Sequence, residues 1–166
     1  GSGKSTFSKT LANHYTIPVL HIDAIHFSEG WVERDKNVRN QELSDFIENR
    51  NDWVIDGNDT QAHFERRCAV ADQLFFFDFN RFVCLKNVLL RYWRFKGKTR
   101  DSIAEGCNEK MDFAFIWWIL HLGRTRKRLA KFKQVIKDYP NKVIVFKNRK
   151  QVQRYIQKQA MILVDL

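Results

Sequence analysis

Four short runs, Val19–Ile22, Trp53–Ile55, Leu74–Phe77 and Val143–Phe146, are apolar at consecutive positions but for His21, and long amphipathic stretches separate them. A strand that is apolar throughout is buried on both faces, which needs helices crossing over on each side. The pattern predicts an α/β chain with a parallel sheet. Helices are expected over Lys4–His14, roughly Asn40–Arg50, Arg81–Arg94, a long one through Met111–Tyr139, and Arg149–Lys158. Ser102 with Glu105 and Asn148 with Gln151 have capping-box spacing, and Pro140-Asn141 stops the long helix. At 166 residues, 44% apolar, without a repeat or linker, the chain is expected to form one domain over 1–166.

The segment Gly1-Ser2-Gly3-Lys4-Ser5-Thr6 matches the second half of the phosphate-binding loop G-x-x-x-x-G-K-[ST]. In such a loop the glycines let backbone N–H groups close around phosphate oxygens. Lys4 neutralises phosphate charge, the Ser5 hydroxyl ligates Mg²⁺, and the helix N-terminus adds a positive dipole. Phe7, Leu11 and Ala12 supply the amphipathic continuation; the alternative is a chance helix start. The strand that enters such a loop lies mid-sheet, and its loss would leave two unpaired edges. A further segment of about ten residues, holding that strand and the first glycine, is therefore expected ahead of Gly1.

Asp23 follows the first apolar run and Asp56-Gly57 the second, so both carboxylates fall at the carboxyl edge of the sheet, where ligands bind in open α/β folds. Asp56 suits a metal-holding role, directly or through water. Asp23 suits orienting or deprotonating an acceptor hydroxyl, or capping the next element. Asp78 reads as structural. Residues 24–50, with Trp31, Arg34 and Arg39, form a polar insertion long enough for a substrate flap or for a plain loop and helix. The five histidines show no metal-ligand spacing and read as core or surface residues.

The net charge of +10 is uneven. Residues 81–100 carry seven basic and no acidic side chains, and residues 124–158 carry thirteen basic against one acidic. The first block reads as a phosphate clamp, with Arg91 and Arg100 the candidates for neutralising transferring oxygens. Within the second, Arg124 to Lys137 is an amphipathic helix whose basic face gives solubility or contacts DNA backbone. The aromatics Phe113, Phe115, Trp117 and Trp118 are expected to pack in the core. Three cysteines without a C-x-x-C pair fit a reducing compartment, the cytoplasm. The longest apolar run, Phe113–Leu120, is short of the ~20 residues that cross a bilayer, so no membrane partner is expected.

Gly1 to Thr6, His21-Ile22-Asp23 with Trp31, Trp53-Val54-Ile55-Asp56-Gly57-Asn58, Ala71-Asp72, Asp78 with Arg81, Cys84-Leu85, Arg91, Arg100, and Glu105-Gly106-Cys107-Asn108-Glu109 with Asp112, Phe115 and Trp118 together resemble the DNA topology modulation (FlaR-type) proteins, an adenylate-kinase-related P-loop family. Asn80, Asn87 and Asp101 depart from that family's pattern. The resemblance implies a nucleoside/nucleotide-kinase-like three-layer fold with a five-stranded parallel sheet, ATP and Mg²⁺ as cofactors, and a lid over residues 91–110. By matching position, Gly1, Ser2, Gly3, Lys4, Ser5 and Thr6 would bind nucleotide phosphates, Asp56 would serve Mg²⁺, and Arg91 and Arg100 would belong to the lid. The implied activity is transfer of the γ-phosphoryl of ATP to a small acceptor. The alternative is a DNA-associated regulator in which nucleotide binding is a switch or a vestige.

Overall fold

The computed structural model describes residues 1–97, 102–107 and 111–164, with side chains described through residue 159. The chain is mixed α/β and divides into two compact units. One comprises Gly3–Arg67 with Phe95–Glu109, the other Gly1–Ser2, Cys68–Arg94 and Lys110–Leu166.

In the first unit, α1 (Lys4–Tyr15) leads to β1 (Val19–His21), a short α2 (Ile22–His26), and a two-residue hairpin of β2 (Phe27–Ser28) and β3 (Val32–Glu33). Helix α3 (Lys36–Glu48) then crosses to β4 (Val54–Asp56). β1 and β4 are parallel, in the register Val19↔Val54, Leu20↔Ile55, His21↔Asp56. Asp35 caps α3 by accepting from the amides of Asn37 and Val38, so this helix starts four residues before the expected Asn40. Leu43 and Ile47 of α3 bury with Ile22 and Ala62, and Leu20, Ile25, Trp53 and Ile55 pack around them. The hairpin turns through Gly30 (φ 74°) and Trp31 (φ 66°), both left-handed. Against it lies the Glu105-Gly106-Cys107 segment. Cys107 Sγ donates to Ser28 O at 3.2 Å, and a Cβ on Gly106 would collide with the Glu29 side chain. Residues 102–107 form turns, so Ser102 and Glu105 do not open a helix as their spacing suggested.

α4 (Phe64–Val70) runs from the first unit into the second. There β5 (Leu74–Phe77) pairs in parallel with β6 (Val143–Phe146), in register Leu74↔Val143 through Phe77↔Phe146. Between these strands run α5 (Arg81–Phe95), α6 (Phe113–Leu120) and α7 (Arg126–Asp138); α8 (Arg149–Val164) follows β6. The single long helix expected through Met111–Tyr139 is broken. His121 leaves helical geometry (φ −130°, ψ −65°), a 3₁₀ turn covers Leu122–Arg124, and the Thr125 side chain caps α7 by accepting from Arg128 N. The break lets α7 turn its own apolar stripe inward, burying Val135 and placing Phe132 against Phe76. The core placement expected for the α6 aromatics is corrected in part: α6 has no polar residue and cannot bury every side. It buries Ile119 and leaves Phe113 and Trp117 exposed, stacked on each other with centroids 6.4 Å apart. Asp78 is structural, accepting from Arg124 at 3.4 Å while Arg124 also donates to Phe79 O. Asn148 accepts from Gln151 N, and Gln151 in return accepts from Lys147 N, a capping box displaced by one residue.

Among the described residues, no helix is long and apolar enough to cross a membrane. Leu43 is fully buried at the centre of the first unit's core. Leu43→Ala is expected to lower stability by about 2–5 kcal/mol in guanidinium unfolding, through lost transfer energy and the cavity left behind.

Candidate functional site

Gly3 occupies the N-cap of α1 at φ 87°, ψ 15°, a left-handed conformation that costs an L side chain roughly 1–2 kcal/mol. Nothing lies within 4 Å of a Cβ built there, so backbone conformation and not space is what requires glycine. The cap supplies no side-chain acceptor and the first turn holds no acidic residue, so the positive end of α1 is left uncompensated by its own sequence. Lys4 and Ser5 stand in this first turn, both half-buried, followed by an exposed Thr6.

Asp56 reaches the same place from the end of β4. Its carboxylate accepts a hydrogen bond from the Ser5 side chain and lies in the field of the Lys4 ammonium. On its other side, His21 Nδ1 lies 3.0 Å from Asp56 Oδ2, the two side chains being only 7% and 9% exposed. Burial pushes the Asp56 carboxyl up. The hydrogen bonds from His21 and Ser5, with the charges of Lys4 and His21, outweigh it and hold the group below the usual carboxylate range. The parallel register makes His21 and Asp56 direct neighbours across the strand ends, so the pairing follows from the fold.

One hydroxyl and one ionised carboxylate form an oxygen donor set suited to a hard divalent cation such as Mg²⁺. Among the described residues no group of three His, Cys, Asp or Glu could hold a metal. A cation at Ser5 and Asp56 would therefore take its remaining ligands from phosphate oxygens and water.

The other expected residues fall elsewhere. Asp23 does not extend β1; it enters the first turn of α2, exposed. Gly1 and Ser2 belong to the second unit, where Asn87 Nδ2 donates to Gly1 O at 2.9 Å and a Cβ on Gly1 would strike the Cys84 backbone. Arg91 is half-buried on α5 in that unit. Arg100 lies outside the described residues, as do Asn108 and Glu109.

Two buried arginines lie in the same unit: Arg39, which the sequence placed only in a polar insertion, and Arg67, which it did not single out. Arg39, 2% exposed, donates from Nη1 to Asp59 Oδ2 at 3.0 Å and to His26 Nδ1 at 2.6 Å. Arg67 gathers the carbonyls of Gly57, Asp59 and Ala62 and so clamps the loop that leaves Asp56. The signal for Arg39 lay in its spacing, since 39, 43 and 47 repeat every fourth residue on the buried face of α3. Gly57 fixes the start of this loop, because a Cβ there would run into the Ile22 side chain.

The lowered carboxyl of Asp56 sets a sign. Its ionised form favours the folded chain above the ordinary carboxylate value of 3.8, and that contribution is lost as pH falls through the lower folded value. Asp56→Asn is expected to reduce stability at neutral pH and to flatten the decline of Tm below about pH 4, read by scanning fluorimetry. Parallel wild-type and variant curves would show that the carboxylate carries no such linkage. Compared with known proteins, the chain matches no family model, no curated protein and no solved structure, so function is read from the site itself.

Proposed function

We propose that the protein binds ATP through a P-loop and transfers the γ-phosphoryl group to a small acceptor, in the manner of the nucleoside and nucleotide kinases. The observation that carries this reading is the meeting of Lys4 and Ser5, at the uncapped start of α1, with the ionised Asp56 at the end of β4. A helix N-terminus behind a left-handed glycine is built for a phosphate, and the adjacent lysine supplies the countercharge. Two parallel strand pairs, each joined through helices, support the α/β class that such a fold requires.

In this reading Gly3 to Thr6 would line the phosphates, and Ser5 and Asp56 would hold Mg²⁺, which when bound draws charge from the phosphate oxygens. Lys4 neutralises what remains on the transferring group, while Asp23, exposed just past β1, orients or deprotonates the acceptor hydroxyl.

A second reading, contact with DNA, draws on α7, where Arg126, Lys127, Lys133 and Lys137 are exposed. Arg124, the residue before that helix, is held by Asp78 and Phe79, and Arg128 lies over the Trp118 ring at 5.7 Å. Binding through the exposed cations would weaken steeply with salt.

Calorimetric titration of the full-length protein with Mg-ATP separates these readings. Lys4→Ala is expected to weaken ATP binding at least about tenfold, equivalent to roughly 1.4 kcal/mol, and to abolish turnover. Unchanged affinity and turnover in Lys4→Ala would remove the kinase reading. DNA retention lost on replacing Arg126 and Lys127, with no ATP binding, would favour the second.

A further inference from the structure

The pairing of His21 with Asp56 has more structure than a core hydrogen bond needs. Asp56 is an ionised carboxylate, which only accepts, so the 3.0 Å contact requires the proton on His21 Nδ1. The other ring nitrogen, Nε2, is buried and has no hydrogen-bond partner, although the His21 side chain is more than nine-tenths buried. A ring recruited only for packing would leave neither a carboxylate fixed from behind nor an unpartnered ring nitrogen beside it.

We propose that His21 is the positioning residue of Asp56: its Nδ1–H holds one carboxylate oxygen in place, so that the carboxylate stays turned toward Ser5 and Lys4 to receive a divalent cation. The inference rests on the nucleotide-binding reading and deepens it by assigning a residue that the phosphate-loop motif does not contain. The physical reason is orientational. A carboxylate on a strand end can rotate about χ2, and a donor locked by the register His21↔Asp56 removes that freedom before a cation arrives. Nε2 is left to pair with a water or hydroxyl that comes with the ligand.

The test uses the full-length protein and two variants. His21→Asn keeps a side-chain N–H near the Nδ1 position, whereas His21→Phe keeps ring volume and loses the donor. The Mg²⁺ concentration that half-saturates its promotion of ATP binding is measured by calorimetry, with metal-free ATP binding as the control. His21→Phe is expected to raise that concentration about tenfold, the usual effect of losing a hydrogen bond to a metal ligand, with metal-free binding changed less than about twofold. His21→Asn is expected to recover most of the loss. Imidazole ¹⁵N spectra of the ligand-free wild type should show a protonated Nδ1.

An unchanged Mg²⁺ dependence in a folded His21→Phe would overturn the proposal. If that variant does not fold, a failure of folded His21→Asn to keep the wild-type Mg²⁺ dependence, or a wild-type spectrum with no proton on Nδ1, overturns it. Absence of ATP binding by the wild type, with or without Mg²⁺, is a different result. It removes the nucleotide reading beneath the proposal.

Discussion

The parallel pairing of β1 with β4 fixes what the first unit can do. Its register sets His21 opposite Asp56, and both strands end there, so the chain must turn away just where a carboxylate and an imidazole meet. Burial alone would push this carboxyl up. It stays ionised because two hydrogen bonds and a lysine arrive from α1 and β1. The same burial that makes the charge costly in isolation makes it responsive to a cation, since a group already held in low dielectric gains more from a divalent ion than a solvated one.

Buried arginines then hold the surroundings. Arg67 binds three carbonyls of the loop after β4, and Arg39 ties α3 to Asp59 and His26. An Asp-Gly exit from β4 would otherwise be free to move, and Gly57 in contact with Ile22 leaves no room for it to do so without disturbing the core. Breaking a buried ion pair by removing one partner is far more costly than never having had it. Arg39 and Asp59 therefore constrain each other's substitution. The hairpin of β2 and β3 lies in the same unit, where Cys107 donates to Ser28 O.

The strands were legible because each run is apolar at consecutive positions but for His21, and all four expected runs form strands with boundaries shifted by no more than a residue. Asp56 was legible for the same reason: it follows a run that burial identifies. Asp23 was not, because Ile22 is buried as the first residue of α2, so the apolar run outlasts β1 by one position and carries the carboxylate into a helix. The long helix of residues 111–139 was misjudged because helical periodicity continues across a break that only the His121 backbone and the Thr125 cap reveal. Arg39 hid behind its charge, although its spacing from Leu43 and Ile47 marked it as buried. His21 could not be read without register: what matters is the residue across from it, thirty-five positions later.

Hydrogen exchange of the full-length protein with and without Mg-ATP tests the central claim most directly, since it reports protection of backbone amides one segment at a time. The account predicts slowed exchange over Gly1 to Thr6, the loop and the first turn of α1, and in the segment around Asp56. Unchanged exchange in both places at saturating Mg-ATP, or protection confined to α7, would contradict it.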